Sequence, residues 1–282
     1  MIKVLHPGFY STIQDLGRKD FQHLGVPVSG AMDMHAAKMA NAILGNDADC
    51  AVLELTMLGP KLEFNCETVI IVTGANLTPK INTTIVKNNT LINVIKGDIL
   101  SFGKPINGFR AYLAVSGGFQ TEIVLNSRSM YQSITKASSL NKGDKIKIHT
   151  KGHISKKYST IKMDSNHLNN HVISVFKGPE FHLMNNEQLN KLFNQEFTVS
   201  KENNRMAYQL QELVTNNLKD IITSLVMPGT VQLTPFGKLI VLMRDCQTTG
   251  GYPRVLQLNE SSINLLSQKK IGDKIKFKLK TH

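Results

Sequence analysis

Short apolar segments, each closed by a turn-forming residue, are the feature of this 282-residue sequence that most constrains its fold. Segments of four or five residues are long enough for strands and too short for most helices. Glycine, proline, asparagine and aspartate between them are typical of chain reversals. The strand-like segments are 69–73, 92–95, 99–102, 111–115, 172–176, 231–235 and 239–243. The sequence therefore predicts a mainly β fold with barrel-like or sandwich-like domains and a few short helices.

Two segments have helical rather than strand-like spacing of apolar residues. Residues 32–44 predict a helix with Ser29 or Asp33 as its N-cap. Residues 186–193 predict a shorter second helix.

A Gly-Asp pair recurs three times, each time directly before an alternating strand-like segment. The pairs are Gly97-Asp98, Gly143-Asp144 and Gly272-Asp273. Two fall in the N-terminal half and one closes the C-terminal half, which indicates related β-rich domains.

The division between these domains is predicted from composition. Residues 151–170 are rich in Lys, Ser and Asn and show no periodicity, as a linker would. We therefore expect domains over 1–160 and 161–282, with the possibility that the termini cross over between them.

The charge and hydropathy of the chain restrict its partners. The formal net charge is +12, and the lysines are densest at 151–162 and 269–280. The chain has no tryptophan, and its aromatic residues are not interleaved with basic ones, so nucleic-acid binding is disfavoured. No apolar segment approaches the roughly 18 residues needed to span a bilayer. These features, with no signal-peptide core, predict a soluble cytoplasmic protein with a solvated basic surface or acidic small-molecule substrates.

Familiar catalytic and metal signatures are missing from the sequence. There is no GxxxxGK[ST] phosphate loop, GxGxxG fingerprint, HExxH or GxSxG motif. The three cysteines show no zinc-ligand spacing, so no metal site is predicted. Cys246 lies in a polar loop, where a buried inert thiol is favoured over a nucleophile.

Two polar loops rich in glycine lie about 200 residues apart. The first is formed by 14–18 and 27–33, and the second by 244–253, directly after the apolar segment 239–243. Adjacent glycines and threonines expose backbone N–H groups and hydroxyls to a polar or anionic ligand. We expect both loops to build one site from the two ends of the chain.

The order of these motifs resembles the KipA family, also called allophanate hydrolase subunit 2 or the 5-oxoprolinase C subunit (PxpC). The similarity covers nearly the whole chain in the order of the family. Its segments are QDLGR (14–18), GVPVSGAMD (25–33), ANAILGN (40–46), LELT (53–56), GFRAYLAVSGG (108–118), NRM (204–206) and QTTGGYP (247–253).

The resemblance implies two tandem cyclophilin-like β-barrel domains and a role in a multi-subunit enzyme. That enzyme opens 5-oxo-L-proline to L-glutamate with ATP and Mg, and a subunit of this kind is inactive alone. The implied partners are a KipI-like subunit (PxpB) and a LamB/YcsF-like subunit (PxpA). Two alternatives stay open: a carboxyltransferase component of a biotin-dependent urea or amide carboxylase, and a regulatory protein that binds a KipI-like inhibitor of a histidine kinase.

Both enzymatic alternatives act on an unreactive amide-like carbonyl, which requires fixed donors where negative charge develops. The residues predicted to act in catalysis are Asp15, Arg18, Asp33, Glu54 and Asp245. Those predicted to bind substrate are Gln14, Ser29, Met32, Arg110, Asn204, Arg205, Gln247, Thr248, Thr249, Gly250, Gly251 and Tyr252. Structural roles compete with these: an ion pair of Asp15 with Arg18, a helix cap at Asp33, a turn anchored by Arg205 and a buried, paired Glu54.

The chain departs from the family pattern in three places. They are 125–130, where relatives carry Leu-Gly-Ser-Arg-Ser-Thr, 136–141, where they carry more glycines, and 203–210, where they carry Ser-Asn-Arg-Met-Gly-Tyr-Arg-Leu. The loss of an arginine and several loop glycines is compatible with a changed substrate and equally with a paralogue whose activity has drifted, so it bears on the identity of the substrate more than on the fold.

Overall fold

A computed structural model describes residues 1–149 and 168–280 of the chain. The chain divides into two compact units, Met1–Arg18 with Ser29–Asn169 and Lys19–Val28 with Asn170–His282. The predicted domain boundary near 160 and most of the predicted linker lie outside the described residues, as does the basic segment 151–162.

The first unit contains eleven described strands and one helix. The strands are β1 (Ile2–His6), β2 (Tyr10–Gln14), β3 (Val52–Thr56), β4 (Lys61–Phe64), β5 (Thr68–Asn76), β6 (Lys80–Ile81), β7 (Thr84–Ile85), β8 (Ile92–Val94), β9 (Ile99–Ser101), β10 (Asn107–Val115) and β11 (Lys145–Ile146). The helix α1 spans Met34–Leu44. It begins two residues later than predicted, because Asp33 is its N-cap and accepts a hydrogen bond from the N–H of Ala36 at 3.0 Å.

The strands of the first unit form two sheets. One has the order β11-β1-β4-β9-β6-β7, and the other has the order β2-β3-β10-β5-β8. Apolar residues from both sheets share one buried core, and α1 covers the opposite face of the five-stranded sheet. A barrel was predicted here, but neither of these two sheets is closed among the described residues.

The second unit contains nine described strands, seven of which close a barrel, and two α-helices. Its strands are β12 (Val172–Lys177), β13 (Phe197–Asn203), β14 (Ala207–Leu210), β15 (Ser224–Leu225), β16 (Thr230–Leu233), β17 (Leu239–Leu242), β18 (Thr249–Gly250), β19 (Arg254–Leu258) and β20 (Lys274–Leu279). The barrel order is β12-β19-β16-β17-β14-β13-β20, while β15 and β18 form a separate two-stranded ribbon. The helices are α2 (Asn186–Asn194) and α3 (Glu260–Ser267). The prediction of a mainly β fold is confirmed.

The three Gly-Asp pairs form the same turn. Their glycines have φ of 95°, 94° and 85°, a region that glycine adopts without strain. In each turn the aspartate carboxylate accepts the N–H of the residue three positions earlier, at 3.0, 2.8 and 2.9 Å. Each glycine N–H also donates to a neighbouring strand carbonyl, at Phe64, Val4 and Val199, and that residue donates back to the aspartate carbonyl. The turn occurs twice in the first unit and once in the second.

Candidate functional site

Buried polar residues occupy one face of the five-stranded sheet in the first unit. Successive side chains of strand β3 lie on opposite faces of the sheet, so Leu53 and Leu55 pack in the apolar core while Glu54 lies on the other face. The ladder with β10 places Tyr112 opposite Glu54 and Arg110 opposite the end of β3. Glu54, Arg110 and Tyr112 are 1%, 2% and 0% exposed. We call these three residues the sheet-face cluster.

The carboxylate of Glu54 organises this cluster. Its Oε2 accepts the backbone N–H of Met32 at 2.7 Å and the hydroxyl of Tyr112 at 2.8 Å. The Tyr112 hydroxyl accepts the N–H of Asp33 at 2.7 Å. Arg110 Nε lies 3.8 Å from Glu54 Oε1, an ion pair between two buried side chains. Glu54 is therefore buried and paired, and it fixes both an arginine and the loop 29–33.

Burial raises the pKa of the Tyr112 phenol well above its ordinary value of 10.0, and the carboxylates of Glu54 and Asp33 raise it further. Arg110 acts in the opposite direction but with a smaller effect. The phenol therefore stays protonated and donates to Glu54 throughout the physiological range.

The loop 29–33 is held in an unusual backbone conformation. Ser29 has φ of 57° and Gly30 has φ of 88°. A Cβ on Gly30 would lie 2.9 Å from the Gly17 nitrogen, so only glycine permits this close approach between the two parts of the first polar loop. Ser29 is fully buried, and its hydroxyl has no hydrogen-bond partner within the described parts of the chain. Left-handed backbone at a non-glycine residue is frequent at functional sites.

Asp15 fixes a second loop beside the first. Its carboxylate accepts the hydroxyls of Ser127 and Ser129 at 2.6 and 2.7 Å. It also accepts the N–H groups of Gly17 at 2.8 Å and of Arg128 at 2.5 Å. Four donors on one carboxylate give Asp15 a well-defined structural role, which the sequence did not predict because Ser127 and Ser129 lie more than 110 positions away.

Arg18 and Gln14 are also buried beside this loop. Arg18 is 0% exposed, and its Nη2 donates to the carbonyl of Ser129 at 2.5 Å. The amide of Gln14 donates to Thr12 Oγ1 at 3.1 Å and to the carbonyl of Met130 at 3.2 Å. These contacts hold the segment 127–130 against the start of the chain.

A cavity of about 280 Å³ opens beside the Asp15 loop. Its polar lining includes Asp15, Asp49, Gln120 and Arg128, and the guanidinium of Arg128 donates to Gln120 Oε1 at 2.9 Å. The cavity has the size of a small-molecule site and was not predicted from the sequence.

In the second unit, Arg205 and Asp245 form a bidentate ion pair. Arg205 Nε lies 2.7 Å from Asp245 Oδ2, and Nη2 lies 3.1 Å from Oδ1. Both residues are buried, and the N–H of Asp245 donates to the Arg205 carbonyl at 2.9 Å. The side chain of Asn204 accepts the N–H groups of Met206 and Ala207, which closes the turn. The structural role considered for Arg205, a turn anchored by its side chain, is present.

The segment 247–252 differs from the irregular glycine loop that was expected. Thr249 and Gly250 form β18 and pair with Leu225 and Ser224, so part of this segment is a short strand, while Gly251 lies outside it. The carbonyls of Thr248 and Gly251 accept the N–H groups of Val226 and Ile221. The reason is that 221–226, which has no clear strand signal, supplies a pairing partner.

Three side chains at 246–252 differ in their surroundings. Gln247 Oε1 is buried and has no hydrogen-bond partner among residues 1–149 and 168–280. Tyr252 is 38% exposed. Cys246, by contrast, is 3% exposed, and burial with the nearby Asp245 carboxylate raises its pKa to about 12. That value leaves a negligible thiolate fraction at neutral pH, as expected for an inert thiol.

The predicted residues are divided between the two units. Gln14, Asp15, Arg18, Ser29, Met32, Asp33, Glu54 and Arg110 belong to the first unit, and Asn204, Arg205, Asp245, Gln247, Thr248, Thr249, Gly250, Gly251 and Tyr252 belong to the second. The joining of both sets into one site stays a prediction. Tyr112 is a residue that the sequence analysis missed.

Among the described residues, no group of three or more His, Cys, Asp or Glu side chains is placed to hold a metal ion. No helix in that part of the chain is long and apolar enough to cross a membrane.

Comparison with known families gives a clear assignment. Residues 24–279 match the model of the carboxyltransferase domain, subdomain A and B. The chain belongs to this family.

Among curated relatives, the chain is similar to the 5-oxoprolinase C subunits of Escherichia coli and Haemophilus influenzae. The first is 31% identical over 98% of this chain and 90% of its own length, and the second is 30% identical with the same coverage. The urea amidolyase of Lachancea kluyveri is 41% identical, but over 46% of this chain and 7% of its own. The resemblance to the family of 5-oxoprolinase C subunits is therefore confirmed.

Two solved structures have the same fold. The TTHA0988 crystal structure matches with a TM-score of 0.87 and 24% identity over 98% of this chain. The Kluyveromyces lactis urea amidolyase matches with a TM-score of 0.85 and 26% identity over the same share. This chain spans 55% of the TTHA0988 chain and 18% of the amidolyase chain.

Proposed function

We propose that this chain is the C subunit of an ATP-dependent 5-oxoprolinase, which opens 5-oxo-L-proline to L-glutamate. Its proposed partners are a KipI-like subunit (PxpB) and a LamB/YcsF-like subunit (PxpA), and it is inactive without them. The observation that carries the proposal is 31% identity with the C subunit of Escherichia coli 5-oxoprolinase over 98% of this chain. We also propose a cytoplasmic location and two cyclophilin-like domains.

The chemistry required is the polarisation of a lactam carbonyl. An amide carbonyl becomes reactive when fixed positive charge stabilises the negative charge that develops on its oxygen, an effect worth several kcal/mol. In the sheet-face cluster, Glu54 holds the guanidinium of Arg110 in place, and Tyr112 holds Glu54. We assign Arg110 to the substrate and Glu54 to the orientation of Arg110.

The other predicted acids have positioning roles in this proposal. Asp15 orders 127–129, Asp33 caps α1, and Asp245 holds Arg205. Each unit also carries a buried polar side-chain atom without a partner in the described chain, at Ser29 in the first and at Gln247 in the second, and we assign each to ligand binding within its own unit. Rigid support of this kind keeps reacting groups within the narrow tolerance that catalysis needs.

We assign ATP with Mg to the assembled complex. The sequence has no phosphate-binding glycine loop, and the described residues supply no cluster of three acidic or imidazole ligands for Mg.

Reconstitution with purified partner subunits tests this function. The complete mixture should form glutamate from 5-oxo-L-proline only when ATP and this chain are both present. Glu54→Gln should lower kcat by about 100-fold, because the buried arginine loses its counter-charge. Asp144→Asn, at an exposed turn, is the matched control with unchanged turnover. ATP consumption and glutamate formation that do not depend on this chain would refute the proposal.

A second candidate is a carboxyltransferase component acting on urea or another amide. It is favoured by the family model, which is that of a carboxyltransferase domain, and by the 41% identity with a urea amidolyase over 130 residues. This function requires bicarbonate and a biotinylated carrier protein. Turnover that depends on both, with urea and not with 5-oxo-L-proline, would replace the first proposal by this one.

A further inference from the structure

Thr56 ends β3 on the same face of the sheet as Glu54. It lies opposite Arg110 in the ladder with β10 and opposite Tyr10 in the ladder with β2. It is 5% exposed, and its Oγ1 is buried. Thr56 is the last residue of the LELT motif (53–56) and is not among the predicted site residues.

The Thr56 hydroxyl has no hydrogen-bond partner among the described residues. Two other threonines of this sheet face make such bonds: Thr12 Oγ1 accepts from Gln14 at 3.1 Å, and Thr73 Oγ1 donates to the carbonyl of Ala36 at 2.7 Å. Buried polar groups without partners are rare in native proteins and each calls for an explanation, such as a water molecule or a ligand. Unlike Thr12 and Thr73, Thr56 therefore has a buried hydroxyl that can still form a hydrogen bond, and this hydroxyl lies beside the sheet-face cluster.

The neighbouring chemistry indicates which kind of group would complete it. A threonine hydroxyl can donate one hydrogen bond, and an arginine guanidinium donates and never accepts. A ligand atom that meets both must be an acceptor, such as a carboxylate or carbonyl oxygen. We propose that Thr56 is a substrate-binding residue whose hydroxyl donates to an acceptor oxygen of a small amide or carboxylate held beside Arg110. This proposal rests on the function proposed above, since 5-oxo-L-proline carries both kinds of oxygen.

The test compares three variants in the reconstituted complex with partner subunits. Thr56→Val keeps the shape of the side chain and removes the hydroxyl. It should raise KM for 5-oxo-L-proline about tenfold, the effect of one hydrogen bond, while the melting temperature stays the same or rises, because no protein partner is lost. Thr56→Ser, which keeps the hydroxyl, should stay within about threefold of the wild-type KM. Thr73→Val, which breaks a bond inside the protein, should lower the melting temperature and leave KM within about twofold.

An unchanged KM in Thr56→Val would overturn the proposal, as would a loss of melting temperature equal to that of Thr73→Val. A wild-type complex that does not turn over 5-oxo-L-proline would instead refute the proposed function. In that case a crystal structure of the ligand-free complex still decides the role of Thr56. A protein acceptor within 3.2 Å of Oγ1 would overturn it, and an open polar space beside Oγ1 and Arg110 would support it.

Discussion

At the scale of single residues, one phenol connects the backbone of a loop to a buried acid. The hydroxyl of Tyr112 accepts the N–H of Asp33 and donates to Glu54. A hydroxyl that both accepts and donates in a buried site leaves two unpaired groups when it is removed. The order of loop 29–33 therefore depends on Tyr112.

Tyr112→Phe should lower the free energy of unfolding by about 1–3 kcal/mol, because the buried N–H of Asp33 loses its acceptor. Urea unfolding at pH 8 measures this loss. Tyr252→Phe, at a partly exposed ring, is the control and should change stability by less than about 0.5 kcal/mol. A Tyr112→Phe variant as stable as this control would contradict the role assigned to the hydroxyl.

The same phenol gives a pH dependence of defined sign. Its pKa is raised in the folded protein, so its stabilising contribution is fully present below the unfolded value of about 10 and is lost as the pH rises through the folded pKa. The stability difference between the wild type and Tyr112→Phe should therefore shrink between pH 9 and pH 11. A difference that stays constant over this range would show that the phenol is not held protonated by its surroundings.

Removing one partner of the ion pair between Arg205 and Asp245 should lower the free energy of unfolding strongly. Arg205→Met leaves a buried carboxylate without a counter-charge, and we expect a loss of about 3–5 kcal/mol in urea unfolding. The double variant Arg205→Met, Asp245→Leu should recover much of this loss. Lys136→Ala, in an exposed pair with Glu122, is the control with a change below about 0.5 kcal/mol.

The sequence predicts a site residue well when its partner is close in the chain and poorly when the partner is distant. Asp33 was foreseen as a cap because it directly precedes a helical pattern. Tyr112 was not, because its partner Glu54 lies 58 positions away and only the register of β3 with β10 brings them together. The partners of Asp15 were missed for the same reason.

At the scale of elements, the Gly-Asp turns are the clearest repeated device. Each aspartate closes its turn with one side-chain hydrogen bond, and each glycine has left-handed backbone in open space. Asp144→Ala and Asp273→Ala should each cost a similar amount, about 0.5–1.5 kcal/mol in urea unfolding. Asp98→Ala should cost somewhat more, because the Asp98 carboxylate also accepts the side-chain amide of Asn82 at 3.0 Å. Replacement by Asn, which keeps an acceptor oxygen, should cost less in all three. Losses that differ severalfold would contradict a shared turn.

Several elements were predictable because their apolar segments are bounded by strong turn residues. Strand β12 and helix α2 each extend one residue beyond their predicted segments. Strand β5 contains the predicted 69–73 but continues through Gly74 to Asn76, where a turn was expected. Helix α3 was missed, since its serines and an asparagine weaken the helical pattern that Asn259 caps. The pairing of β15 with β18 was missed because two-residue strands carry no periodic signal.

At the scale of the whole molecule, the family was recognisable from the order of many short motifs, each of which is weak alone. The loop departures from the family pattern are compatible with the fold where the structure describes them. At position 126, where relatives carry glycine, Asn126 has φ of 60°, and asparagine tolerates this left-handed region better than other residues. The fold therefore does not identify the substrate, which has to be determined by measurement.

The measurement that tests the proposed function most directly is carbon-13 NMR of 5-oxo-L-proline labelled at its lactam carbonyl. The label is followed in the complete complex, in the mixture that omits this chain, and in the complex with Glu54→Gln. We predict that the lactam signal converts to the glutamate side-chain carboxylate at full rate only in the complete wild-type complex with ATP, and about 100-fold more slowly in the variant. Equal conversion without this chain would contradict the account.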